Sequence, residues 1–394
     1  MGEPVTSWET DFDIGDPQYE TDPYAIWDQL RSTCPVPHTE RRGGAFLTTR
    51  YGDVVSVARD VDTFSSRDVG VLPTKDGASL LVAPPITSDP PFHTEARRIL
   101  LRYFSPKVME PLKDKTRSIC TELLDALADR TTADAASEYA QHIPVRIIAH
   151  MLGIAEEDEE RFTDWAVKLF QESSQDTEVN AATIREVLAY FDEQVTLRRT
   201  EPADDLISAL IETELGGAPL TQKHLLGTCF LLLLAGIDTT WSGIGASLWH
   251  LAAHPADRDR LVGEPHLIDT AVEEFLRAYS PVTMARVATA DAEVAGCPVH
   301  EGAKVYLSFA AANRDPAVFD RASEVVLDRQ QNRHLAFGVG IHRCLGSNLA
   351  RMEMRVAIQT WLERYPTFAL EPDAEVVWSG AQVRGPRAVP VTLV

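Results

Sequence analysis

The sequence predicts a mainly α-helical protein with small β-sheets, and three observations carry that expectation. Apolar residues recur at helical spacing over most of the chain, whereas strand-like runs are few and short. One apolar pattern, from Thr221 to His254-Pro255, is long enough for a rod of roughly 50 Å. No internal repeat or low-complexity linker divides the 394 residues, so residues 1–394 are read as a single domain.

Amphipathic stretches near 23–32, 52–59, 106–129, 139–151, 159–171 and 178–199 are each bounded by Pro, Gly or acidic turns, which marks them as scaffold helices. Residues 45–50 (AFLTTR), 304–308 (KVYLS) and the C-terminal AVPVTLV are expected strands. Residues 68–92 mix apolar residues with Pro and Gly, cannot hold a long helix, and read as a functional loop. The long helix starts at Thr221 as N-cap and is interrupted by Asp238, so it belongs in a core and not in a membrane.

The centre of that helix, Ala235-Gly236-Ile237-Asp238-Thr239-Thr240 with Gly243 and Gly245 following, is poor in helix formers. Small residues admit something large to the backbone, and an acid beside a hydroxyl offers a proton route. A kinked helix with a satisfied polar pair is the other reading of this segment. His250 and His254, at i and i+4, have a metal-compatible spacing but no evident third ligand, and suit the negative end of the helix dipole. Residues 334–346 read His-Leu-Ala-Phe-Gly-Val-Gly-Ile-His-Arg-Cys-Leu-Gly, after which a helical pattern begins. Cys344 is thus expected at a helix N-terminus, where dipole and backbone amides favour thiolate. Gly338, Gly340 and Gly346 let the chain wrap closely around a flat object, as a thiolate ligand to haem iron requires.

Charge and cysteine content narrow the function. Lys and Arg number 37 against 59 Asp and Glu, a net −22, which argues against nucleic acid. Five cysteines without a CxxC pair point to a reducing compartment, and an N-terminus rich in acids is unlike a targeting peptide, so a cytoplasmic location is expected.

Taken together, the cysteine loop and the long helix resemble the cytochrome P-450 superfamily of haem-thiolate monooxygenases, in particular its soluble bacterial members. Phe337, Gly338, Gly340, His342, Cys344 and Gly346 match the family's loop pattern, Ala235 to Thr240 its helix motif, and Glu274 with Arg277 its Glu-x-x-Arg pair, whose spacing places both on one helix face. The resemblance implies a single P-450 fold with haem b between loop and helix, bordered by Ala235, Gly236, Phe337, Gly338 and Gly346, and Cys344 as the iron ligand. It also implies His93, Arg97, Arg286 and His342 on the haem propionates, Asp238 and Thr239 delivering protons, and Glu274, Arg277 and Arg329 in a structural ion network. Phe92, where many bacterial relatives carry glutamate, and Val325-Val326 depart from the family pattern.

The implied reaction inserts one atom of O2 into a C–H bond by hydroxylation or O-dealkylation. A haem-binding sensor or carrier without turnover, and a peroxide-driven peroxygenase, are the alternatives. The chain shows no flavin or iron-sulfur pattern, so electrons are expected from NAD(P)H through a separate reductase and a ferredoxin or flavodoxin. That partner is expected on a basic face near Arg98, Arg102 and Arg343. Candidate substrate contacts are Val71, Leu72, Leu80, Leu81, Ile86, Phe170, Leu234, Thr283, Met284 and Val383, which suit a small to medium, mostly apolar compound. Arg67, Lys75 and Arg384 leave a carboxylate substrate open.

Overall fold

The long helix, Gln222–Ala253, is the axis of the fold. Thr221 caps it, its Oγ1 accepting from the N–H of His224 at 3.2 Å, and at ~1.5 Å per residue its 32 residues span about 48 Å. It is apolar enough to cross a membrane by length and composition, but 67% of its most apolar window is buried inside the protein. Leu225, Phe230, Leu233, Ile237, Trp241, Ile244, Leu248 and Leu251 belong to the main hydrophobic core. In this computed structural model, which describes residues 4–71, 82–169, 177–380 and 382–393, about 53% of the chain is helical.

The helices His142–Leu152, Thr177–Thr200 and Ser347–Arg364 and the strand Gly385–Ala388 pack against the long helix. Its small residues make this possible. A Cβ on Gly236 would sit 2.5 Å from Ile148 Cδ1, one on Gly243 3.1 Å from Met354 Sδ, and one on Gly245 3.1 Å from Pro386 Cγ. The glycines that cost local helix stability are those where neighbouring elements come closest.

A five-stranded sheet flanks the helical body, in the order His38–Thr39, Ala45–Thr48, Lys304–Ser308, Thr283–Ala288 and Phe64–Ser65. Lys304–Ser308 pairs parallel to Ala45–Thr48 and antiparallel to Thr283–Ala288. The segment 68–71 is fastened to this sheet: Lys304 Nζ reaches Asp68 at 2.8 Å, Ala285 N–H donates to Val69 O, and Tyr306 Oη to Val71 O.

Several expected elements need correction. The stretch 106–129 is two helices, Pro106–Met109 and Leu112–Asp125, parted at Glu110-Pro111. The stretch 139–151 begins in a π-turn at Ala136–Ala140 before the helix His142–Leu152, and the helix expected over 159–171 is α-helical over Glu159–Val167 and continues as a π-turn at 168–169, with residues 170–171 outside the described residues. Residues 45–50 form strand only to Thr48, because Tyr51 opens a helix. The C-terminal strand divides at Val389: Gly385–Ala388 pairs with Val377–Ser379, and Pro390–Leu393 joins Phe368–Leu370 and Thr132–Asp134.

Candidate functional site

The cysteine loop is held by a buried polar frame. Glu274 and Arg277, both fully buried on the helix Ile268–Ala278, form a two-pronged pair, with Arg277 Nε and Nη2 each 2.8 Å from a carboxylate oxygen. Arg329 Nε, Asn332 Nδ2 and the N–H of Val326 also donate to Glu274. Arg277 donates in turn to the carbonyls of Asn313, Ala322 and Glu324. Asn313 Oδ1 then accepts from Leu335 N–H at 2.6 Å, fixing the loop's entry. Beside it, Glu273 holds Arg351 and His334, and the Arg351 guanidinium lies 4.4 Å from the centre of the Phe337 ring.

Within the loop, Gly338 and Gly340 adopt φ of 67° and 77°, which a side chain disfavours, and a Cβ on Gly340 would meet Ala58 O at 2.9 Å. The N–H of Cys344 donates to Phe337 O at 2.7 Å, and Cys344 itself is exposed. The following helix starts only at Ser347, with Gly346 as N-cap. Crowding by the surrounding chain desolvates the Cys344 thiol and pushes it up, while the N–H of Gly346 and the charges of Arg97, Arg343 and Arg351 pull it toward the thiolate.

A cationic cluster adjoins this loop. The rings of His93 and His342 lie 4.2 Å apart, and both nitrogens of His93 and Nε2 of His342 are buried without a hydrogen-bond partner. Burial, reinforced by Arg286, His93 and Arg97, drives His342 down to about 2. Burial also lowers Arg286, to about 10; its Nη1 donates to Ala285 O, beside it in the chain. Arg97 donates to Arg343 O, the carbonyl next to Cys344. Unsatisfied buried donors under mutual repulsion call for an anion with several acceptor oxygens, which a group bearing two carboxylates supplies.

On the long helix the burial pattern breaks. Ala235 is exposed and Leu234, Gly236 and Thr239 are partly exposed, between fully buried Leu233, Ile237 and Asp238. Ala235 and Thr239, at i and i+4, share an uncovered face, where Thr239 Oγ1 donates to Ala235 O at 2.9 Å. Asp238 instead points into the protein, 1% exposed, with Arg387 Nη1 2.5 Å from its Oδ1. That contact lacks the alignment of a hydrogen bond.

Of the candidate substrate contacts, Leu72, Leu80, Leu81 and Phe170 lie outside the described residues, as does Lys75. Val71 is corrected: it is fully buried in a second core cluster with Phe12, Ala285 and Tyr306. Thr283 N–H donates to Gln382 O, Gln382 Nε2 approaches Met284 Sδ, and Val383 bridges Val282. Arg384 is engaged elsewhere, donating to Glu20 O and Thr21 O and stacking on Trp378. His250 bonds Tyr279 and Asp257, and His254 bonds the His250 carbonyl. Sequence reasoning missed Arg387 and Glu273. Neither lies in a local pattern, and only a buried acid such as Asp238 demanding a distant cation could have pointed to Arg387.

Three comparisons bear on this arrangement. The family model described as Cytochrome P-450 matches residues 161–376. The vitamin D(3) 25-hydroxylase of Pseudonocardia autotrophica is 36% identical over 381 residues, covering 94% of each chain. The mycinamicin IV hydroxylase/epoxidase of Micromonospora griseorubida is 33% identical, over 93% of this chain and 94% of its own. Among solved structures, the bacillaene polyketide synthase cytochrome P-450 PksS of Bacillus subtilis 168 superposes with a TM-score of 0.89 at 31% identity, over 97% of this chain and 99% of its own. A glycine-turned loop presenting one cysteine, a long helix uncovered beside a buried acid, and end-to-end likeness to these enzymes agree: the chain belongs to the cytochrome P-450 family.

Proposed function

We propose that this cytochrome P-450 monooxygenase inserts one oxygen atom from O2 into a C–H bond of a small to medium, mostly apolar compound, by hydroxylation or O-dealkylation. Electrons come from NAD(P)H through a separate reductase and ferredoxin or flavodoxin, in the cytoplasm. The observation that carries the reading is the pairing of an exposed Cys344, beside unsatisfied His93 and His342 and the buried Arg286, with the uncovered Ala235/Thr239 face next to a buried acid.

Haem, when bound, supplies an iron that takes a thiolate ligand and activates O2 with two electrons. Cys344 provides that thiolate. His93, Arg97, Arg286 and His342 would hold the two propionates, which satisfies the donors that the chain leaves unpaired. Phe337, Gly338 and Gly346 would lie against one face, Ala235 and Gly236 against the other. Thr239 Oγ1, fixed by its bond to Ala235 O, is the proton-bearing atom at the cleft, and Asp238 is the acid that replenishes it. Leu234, Thr283, Met284 and Val383 form the apolar substrate wall. Glu274, Arg277 and Arg329 keep the loop in place.

The electron partner docks where Arg98, Arg102 and Arg343 are exposed, with Leu101 49% exposed among them. Arg97, on the helix Phe92–Leu101, reaches Arg343 O and so brings these residues to one face. A cationic face with an apolar centre suits an acidic ferredoxin.

Reconstitution with haem tests the proposal. The reduced carbon-monoxide complex should show the band from which the family takes its name. Compounds that shift the resting spectrum to high spin should then be oxidised with NADH, ferredoxin and reductase. Spectral shifts without product would favour the sensor or carrier, and product from peroxide alone the peroxygenase.

A further inference from the structure

Among the described residues, the cationic cluster beside the cysteine loop feels one carboxylate, Asp89, and that carboxylate is held by other groups. Asp89 precedes His93 by one helical turn, and its main-chain carbonyl accepts the His93 N–H at 2.9 Å. Its side chain is pinned on both oxygens: Ser65 Oγ donates to Oδ2 at 2.5 Å and Ser66 N–H to Oδ1 at 2.8 Å. Both serines are buried, and the Ser65 hydroxyl also accepts from Arg67 N–H at 3.1 Å.

The two serines place that carboxylate between elements. Ser65 lies on the edge strand Phe64–Ser65 and pairs with Val287, the neighbour of Arg286 on Thr283–Ala288. Asp89 therefore ties the start of the helix Phe92–Leu101, which carries His93 and Arg97, to the sheet that carries Arg286. Arg286 is buried, makes no ion pair among the described residues, and gives Nη1 to Ala285 O. Burial pulls its guanidinium down and Asp89 alone opposes this; at His93, Asp89 opposes burial and the charges of Arg97 and Arg286. A carboxylate in contact with the guanidinium would claim its donors, whereas one pinned nearby by a hydroxyl and an amide favours the charge and leaves the donors free.

We propose that Asp89 is a positioning residue for the propionate site: pinned by Ser65 and Ser66, it fixes His93 relative to Arg286 and sets a negative charge beside them that takes none of their donors. The inference rests on reading His93, Arg97, Arg286 and His342 as the propionate holders. Reduction adds an electron to bound haem, and a fixed anion beside the groups that hold it opposes that addition. Asp89 thus keeps the reduction potential below the value that the cations alone would set, and loss of its charge favours ferrous iron.

Asp89→Asn, Asp89→Glu and Ser65→Ala test this in the haem-loaded protein. The asparagine keeps both pins, because a serine hydroxyl accepts from an amide as well as it donates to a carboxylate, and removes only the charge. Ser65→Ala keeps the charge and removes one pin. The readouts are the reduction potential from a spectroelectrochemical titration, the carbon-monoxide band and the rate of haem transfer to apomyoglobin. Asp89→Asn should keep the band and raise the ferrous-to-ferric ratio at a fixed applied potential by about fivefold, with Asp89→Glu restoring most of the wild-type ratio. Ser65→Ala should hold the wild-type potential and release haem several-fold faster. A wild-type potential in Asp89→Asn would overturn the inference alone. Wild-type haem transfer in both His93→Ala and Arg286→Ala would instead remove the propionate reading beneath it. Should Asp89→Asn fail to take up haem, wild-type haem transfer in Ser65→Ala would overturn the inference.

Discussion

Replacing Glu274 by alanine should damage the cysteine loop from a distance. Glu274 accepts from Arg277 twice at 2.8 Å, from Arg329 at 2.9 Å, from Asn332 at 3.1 Å and from Val326 N–H at 2.8 Å, and its side chain is fully buried. The variant leaves Arg277 charged and sealed from water, with only backbone carbonyls as partners. Breaking a buried pair from one side costs about 3–5 kcal/mol. With an unfolding entropy of ~2.1 cal/mol/K per residue over 394 residues, that lowers the melting temperature by about 4–6 °C. The loop should suffer too, because Arg277 holds Asn313 and Asn313 holds Leu335. The assay is thermal unfolding alongside haem content, with Glu274→Gln as the variant that keeps shape and loses charge. Wild-type melting and full haem uptake in Glu274→Ala would refute the reasoning, since neither the buried charge nor the link through Asn313 would then matter.

Thr239→Ala should still accept electrons but release peroxide in place of product; tight coupling, measured as product per NADH, would remove Thr239 from proton delivery. Charge reversal at Arg98 or Arg343 should slow ferredoxin-supported turnover and weaken its salt dependence while peroxide-supported product is unaffected, which steady-state rates at several ionic strengths check. Burial alone would raise Glu273, but Arg351 and His334 hold it down to about 2 from an ordinary 4.5. A depressed carboxylate contributes stability that is full above its unfolded value and is lost as pH falls through its folded one. The difference in melting temperature between wild type and Glu273→Gln should therefore shrink from about pH 4.5 toward about pH 2, and a difference independent of pH in that window would count against the pairing.

Legibility in the sequence followed the range of the interaction. The long helix was readable from Thr221 to its end at His254, because capping and periodicity are local, and KVYLS at 304–308 was readable as a strand for the same reason. The break at Glu110-Pro111 was missed because the apolar face continues on both sides of it. The C-terminal run reads as one strand but serves two sheets, a division set by partners more than 200 residues away for Thr132–Asp134. At the site, the loop glycines and the acid-alcohol pair stand in compact motifs. Arg387 meets Asp238 from across the fold, a pairing that spacing does not encode.

Three buried carboxyl groups show how far hydrogen-bond satisfaction separates roles that residue type does not. Glu274 receives a donor on every side and serves as a fixed strut. Glu353, on the helix that follows the cysteine loop, is fully buried with no partner on either oxygen, and burial alone drives it well above the ordinary carboxylate range. Burial of this kind favours the neutral acid over the carboxylate. Asp238 stands between these limits: burial pushes it up, and the charge and close contact of the single partner Arg387 pull it back. A group so balanced changes protonation for a small rearrangement, whereas Glu274 could do so only by dismantling the frame of the loop. The acid suited to moving protons is thus the one held by a single cationic partner and not by a ring of donors.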